Sequence, residues 1–364
     1  MSEKKIPYVI QYPADFGGCG FWRMIWPQLI MNMQRLATVN HSQMFIRDFL
    51  HYNNATAIHV QRQGKQNHLE FFKKLHHIKK RLKFRLIYDS DDIVFYDDIP
   101  DYNFAKESLE KDGSFAREIM ELCDEVTVTT PFLRDYYLKK TSQKNITVIP
   151  NYLPHIWMGN YFSEELILRN YRNHKKKPRI LYSASANHFF NMQGREEIAD
   201  DFTHVKEALM ANIDKFQLVL VGGRPSALSY EIERGLVEYH PWQTTDNYPR
   251  FLANLQINMC IAPLIENDFN RAKSDLKFLE ATALGLPIAC QDMSTYAIAP
   301  VRFKTGEDLI KRLKETLESE ETFLAASRRA RGLIQERWLE RPENIGKYLD
   351  VYCHSYGDPM RKYI

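Results

Sequence analysis

Long apolar runs are missing from this sequence: the longest are strand-sized, well short of the ~20 residues that a membrane-spanning helix needs. Nor is there an apolar signal-peptide core, because MSEKKIPYVIQY passes from charges straight into a strand-like run. Cysteine is scarce and scattered, and Cys19, Cys123, Cys260, Cys290 and Cys353 form no CxxC pair and no Cys/His cluster. Those absences exclude a zinc site of ordinary spacing and a dense disulfide framework. The expectation is a reduced, cytoplasmic protein that requires no metal. A strong charge imbalance is absent as well, with 49 Lys+Arg against 46 Asp+Glu. No low-complexity tract, fixed-period repeat, GxGxxG, HExxH or Ser/His/Asp order occurs. Nicotinamide-dependent oxidoreductases and the common hydrolases therefore lose their sequence support.

What is present is a folded-protein composition, 44% hydrophobic and 13% aromatic, over 364 residues, a length natural for two domains. The first part alternates strand-like and helix-like segments. Ile6 to Tyr12 reads as a strand, Pro13 to Gly20 (PADFGGCG) as a glycine-rich loop and Trp22 to Leu36 as a helix. Gln43 to Leu50, Ala55 to Gln61, Arg85 to Asp89, Glu125 to Thr129 and Ile146 to Pro150 read as further strands. Between them, Asn67 to Leu82 places Leu69, Phe72, Leu75, Ile78 and Leu82 on one helical face. Tyr152 to Lys177 loses strand periodicity, and the rhythm then restarts with strands at Arg179 to Ser183, Phe216 to Val221, Ile257 to Ala262 and Pro287 to Cys290. From Glu307 the pattern is helical. Such alternation predicts an α/β architecture of two doubly wound parallel-sheet lobes, residues 1–165 and 166–335, with closing helices over 336–364 packing back on the first lobe. Ligands of such sheets bind at the carboxyl ends of the strands, which here means the cleft between lobes.

The densest motif is Pro263 to Tyr296, PLIENDFNRAKSDLKFLEATALGLPIACQDMSTY. Its strand, its loop with Phe-Asn and Lys-Ser, its helix carrying Lys and Glu, and its Gly-x-Pro resemble the nucleotide-sugar site of GT-B glycosyltransferases of the retaining, glycogen-synthase-like group. The likeness extends loosely over most of the chain. It implies a GT-B fold and transfer of a sugar from a nucleotide diphosphate donor such as a UDP-sugar, with retention at the anomeric carbon. Independently of it, a helix opening near Lys273 or Ser274 offers free N–H groups and a positive dipole end to a diphosphate. Lys273, Ser274 and Lys277 add two cations and a hydroxyl within about one turn. By resemblance Glu280 accepts hydrogen bonds from the ribose. The family's first glutamate, eight positions earlier, is here Ala272, so its role passes to Asn270 or Asp268, or the sugar differs.

By the same resemblance, Arg195 supplies a phosphate-binding cation, with Ser185 and His188 as further contributors, and Trp242 or His240 edges the nucleobase, although each could equally be packing. Gly18, Cys19 and Gly20 let the backbone approach a ligand closely and start a helix whose end favours an anion. Gly-Cys-Gly at this point also resembles the viral α-glucosyltransferases that act on hydroxymethylated DNA bases. Asp91 and Asp92, in DSDD after the Arg85 strand, are placed to grip sugar or acceptor hydroxyls, and with Lys277 form the candidate catalytic set.

The expected partners are the nucleotide-sugar donor and a hydroxyl acceptor. The leading acceptor is a hydroxymethylated base in duplex DNA, contacted through the basic segments 73–85 and 169–179, which can also be read as a solvated helix face and a basic linker. A cell-surface glycan or lipid-linked acceptor is the alternative. A catalytically silent GT-B binding module, suggested by Ala272, is the third reading.

Overall fold

A computed structural model describes residues 6–103, 105–106, 115–157, 161–189 and 198–353. The first six-stranded parallel sheet contains β1 (Tyr8–Tyr12), β2 (Thr38–His41), β3 (Ala57–Gln61), β4 (Arg85–Ser90), β5 (Glu125–Val128) and β6 (Ile146–Val148), in the order β2-β1-β3-β4-β5-β6. The second contains β7 (Arg179–Ala184), β8 (Gln217–Gly222), β9 (Val237–Pro241), β10 (Met259–Ala262), β11 (Ile288–Gln291) and β12 (Val301–Phe303), in the order β12-β11-β10-β7-β8-β9. The central strands β3, β5 and β10 are buried along their whole length, as befits parallel strands covered on both faces.

In each sheet the strand order reverses beside the first strand of its lobe, and helices cover both sides. Gln66–Leu82, between β3 and β4, buries Leu69, Phe72 and Leu75 as the periodicity predicts, and ends at left-handed Lys83. One expected strand is not formed. Gln43 to Leu50 is irregular and runs into a 3-10 turn at Phe49–Tyr52, while the edge strand is the polar segment Thr38–His41 just before it. The apolar residues that suggested a strand instead cover the helix: Phe45 stacks on Phe71 at 4.5 Å and meets Phe72 edge-on at 5.8 Å.

One apolar cluster joins the lobes. It runs from Val9 and Trp22 through Trp157 to Leu181, Phe278 and Tyr352. The last helix, Pro342–Cys353, returns to the first lobe, where Tyr352 Oη accepts from Gln11 Nε2 at 2.9 Å and lies 3.0 Å from His59 Nδ1. No helix among the described residues is long and apolar enough to cross a membrane.

Candidate functional site

A cleft of about 450 Å³ opens between the carboxyl ends of the two sheets. On the first lobe, β1 delivers the glycine loop. Asp15 folds its carboxylate back to accept from the N–H groups of Gly17 (2.8 Å) and Gly20 (3.1 Å). The anion expected at this helix end is therefore the protein's own. Gly18 and Cys19 line the cleft, but Gly20 is buried beneath it, where a Cβ would lie 1.9 Å from the Asp15 carbonyl oxygen. Glycine is required there by backbone contact and not by a ligand.

Past the carboxyl end of β4, Asp91 and Asp92 both face the cleft. Arg62, just after β3, lies 3.4 Å from Asp91 and donates to Cys19 Sγ at 3.1 Å. Burial opposes ionisation of Asp91, yet Arg62 and the Cys19 thiol hold its carboxyl below the usual carboxylate range. Asp92 is displaced the other way, by burial and by the charge of Asp91, with Lys273 partly countering. The two neighbours thus form an asymmetric pair, one carboxylate firmly charged and one more readily protonated.

Beneath this wall, Arg23 forms a buried ion pair with Asp89 at 2.7 Å and donates to the Ile149 carbonyl (2.6 Å) and to Asn151 Oδ1 (3.2 Å). Asn151 in turn donates through Nδ2 to Ser274 Oγ at 2.9 Å, so the first lobe's core reaches directly into the second lobe's loop.

On the second lobe, the helix Leu276–Ala283 begins with Asp275 at its N-cap position; the Asp275 side chain makes no cap bond and instead receives Arg337 at 2.9 and 3.0 Å. The helix's free N–H end therefore faces the cleft with Lys273, Ser274, Lys277 and Glu280 around it, all four lining the cavity. Lys273 reaches across to Asp92, 3.7 Å away. Lys277 points at His188 Nε2 (3.3 Å). Burial and the nearby Lys273 push the Lys277 ammonium below the ordinary lysine range, and burial pushes the Glu280 carboxyl up. Trp242, 55% exposed, stands at the mouth beside Gly18, whose Cβ would lie 3.8 Å from its ring. His240, by contrast, is tied to Glu238 at 2.7 Å.

Two expected donor contacts fall elsewhere. Asn270 is fully buried off the cleft wall, its amide donating to Asp201, to Tyr102 and to the Ile265 carbonyl, so it cannot replace the glutamate missing at Ala272. Asp268, the other substitute, is ion-paired with Arg271 at 3.0 Å. Arg195 lies outside the described residues. Asp15, Asn151, Asp201, Tyr248 and Arg337 belong to the site or its support without having been expected there. Of these, Asn151 follows directly on the strand expected at Ile146 to Pro150.

The basic segments do not border the cleft. Arg85 starts β4 and Arg179 starts β7, at the strand ends opposite the site. Lys79 is paired with Asp124 (2.7 Å), Arg85 with Glu125 (2.7 Å), Arg172 with Glu320 (2.6 Å) and Arg179 with Glu238 (2.7 Å). These pairs take up part of the charge that suggested phosphate binding. Among the described residues no group of three or more His, Cys, Asp or Glu could hold a metal ion.

No protein-family model matches the chain, and no curated protein matches it by sequence. Solved structures do. Anabaena HepE in complex with UDP and glucose aligns with a TM-score of 0.62 at 12% identity, over 95% of this chain and 99% of its own. The chain has the GT-B fold. T4 phage BGT in complex with UDP and Mn2+ aligns with a TM-score of 0.51 at 10% identity, over 96% of this GT-B chain and 100% of its own. A structure of the DNA-modifying enzyme β-glucosyltransferase, studied with and without its substrate uridine diphosphoglucose, gives 0.52 at 12% identity, over 96% and 99%.

Proposed function

We propose that this chain is a glycosyltransferase that moves a sugar from a UDP-type donor to a hydroxyl acceptor. The observation that carries the reading is the gathering of two lysines and a hydroxyl at a free helix end in an interlobe cleft, with Glu280 one turn along the same wall. As the glycosidic bond breaks, negative charge grows on the departing diphosphate. Fixed donors aimed at that charge, Lys273, Ser274, Lys277 and the helix N–H groups, are the largest available catalytic lever. Glu280 holds the ribose hydroxyls, and Trp242 covers the base at the mouth. Gly18 and Cys19 allow the donor's sugar to approach the first lobe. Asp91, kept charged by Arg62, takes hydroxyl hydrogen bonds on the acceptor side, and Asp92 links that side to Lys273. Retention at the anomeric carbon follows from the resemblance of the Lys273 to Pro287 segment.

The acceptor is read from the wall opposite the donor. The wall facing the acceptor carries Asp15, Asp91 and Asp92, and the segments 73–85 and 169–179 lie at the far strand ends. That favours a glycan or lipid-linked hydroxyl over a duplex. A hydroxymethylated DNA base is the second reading, favoured by the likeness to the DNA-modifying β-glucosyltransferase. Release of UDP from a panel of UDP-sugars, with glycan and hydroxymethylated-DNA acceptors side by side, tests both. Turnover on DNA alone would reverse this preference. Binding of UDP without turnover on any donor and acceptor would instead support a catalytically silent module. Glu280→Ala should weaken UDP binding by about tenfold or more, and unchanged affinity would refute the ribose assignment.

A further inference from the structure

Behind the cationic end of the cleft lies a buried carboxylate that the donor reading does not use. Asp201 is 0% exposed. Its Oδ1 accepts from Tyr102 Oη (3.1 Å), Asn270 Nδ2 (2.5 Å) and the Ile265 N–H (3.1 Å), and its Oδ2 accepts from His188 Nδ1 at 2.7 Å. Burial opposes its charge, but His188, Lys273 and the Ile265 N–H together outweigh this and keep the carboxyl below its usual range. An ionised Asp201 can only accept, so the imidazole proton must sit on Nδ1. That leaves the Nε2 lone pair facing Lys277 Nζ, 3.3 Å away.

We propose that Asp201 and His188 are positioning residues for Lys277: the carboxylate fixes the tautomer, the imidazole accepts one ammonium proton, and the other two N–H donors are left for the donor diphosphate. This rests on the reading that Lys277 holds that diphosphate. A free lysine has a flexible four-carbon stem and several rotamers to lose on binding. Anchoring it beforehand lowers that cost and fixes the direction of its charge. The arrangement also keeps His188 neutral, since burial, Lys277 and Lys273 push its pKa down to about 3, so the imidazole adds no positive charge to that of Lys273 beside the lysine.

The test is a set of variants read in two ways: UDP affinity by calorimetry, and the rate at which Lys277 is labelled by an amine reagent at about pH 8, followed by mass spectrometry. Asp201→Asn turns an acceptor into a group that can donate to Nδ1 and so drive the proton to Nε2, facing Lys277. Affinity should fall about tenfold, one hydrogen bond to a charged group, and Lys277 should label faster because its ammonium has lost its acceptor. In His188→Gln, whose side-chain oxygen can accept from Lys277 without help, adding Asp201→Asn should change neither readout further. If Asp201→Asn melts well below the parent, His188→Leu serves instead: it removes the acceptor, leaves Tyr102 and Asn270 on Asp201, and should show the same two effects. Unchanged labelling in both single variants overturns the proposal. So does an equal loss on adding Asp201→Asn to His188→Gln, which would mark a general structural role. Faster labelling without any UDP binding by the parent protein would instead retire the donor assignment and leave the positioning of Lys277 standing.

Discussion

At the scale of single residues, Arg23 is a fully buried charge, held by Asp89, the Ile149 carbonyl and Asn151. A guanidinium out of water is tolerable only with its charge matched and its donors used. Asp89→Ala leaves that charge unmatched and should cost about 3–5 kcal/mol in urea unfolding; a loss under about 1 kcal/mol would mean that water replaces the carboxylate. Two histidines contribute to the acid response. Burial pushes His59 from 6.5 down to about 4 and His188 down to about 3. Both are neutral when folded and gain protons more readily when unfolded. Their contribution is therefore complete above about pH 6.5 and lost as pH falls from there towards the folded values. Stability should decline below pH 6.5, and His59→Gln should flatten that slope. A slope unchanged by the substitution would place the acid sensitivity elsewhere.

At the scale of elements, the Leu276–Ala283 helix shows how local sequence builds a site. Asp275 is held by Arg337 and stays off the N–H groups, so the helix end stays open. At its other end Gly285 takes φ +72, and a Cβ there would fall 2.1 Å from the Phe162 ring. Gly285→Ala should destabilise by more than about 1 kcal/mol in thermal or urea unfolding, and a neutral result would show that Phe162 can swing away. This segment was legible because its chemistry is contiguous: Lys273, Ser274, Lys277 and Glu280 fall within two helical turns. The strand expected at Gln43–Leu50 does not form because Phe45 and Phe49 serve a neighbouring helix, and alternation along a chain cannot tell the two uses apart.

At the scale of the whole molecule, the lobes are joined by specific bonds as well as by apolar packing. Arg23 meets Asn151, Asn151 meets Ser274, and Arg337 holds both the Asn151 carbonyl and Asp275. Asn151→Ala should raise the KM for the proposed nucleotide-sugar donor several-fold while the melting temperature falls only slightly; a large melting shift with unchanged KM would make the link purely structural. By itself the sequence determined the two parallel-sheet lobes, most strands, the closing helices and the lysine-rich helix end, because each depends on periodicity or on residues a few positions apart. Tertiary structure alone decided that Asn270 is buried and spent on Asp201, that Asp15 occupies the glycine loop's own N–H groups, and that the basic segments lie at the strand ends away from the cleft. The Asn270 and basic-segment outcomes depend on partners tens of positions or more away and on which strand end a residue occupies, and the Asp15 contact, though only two and five positions long, depends on how the loop folds back; local sequence pattern records none of these.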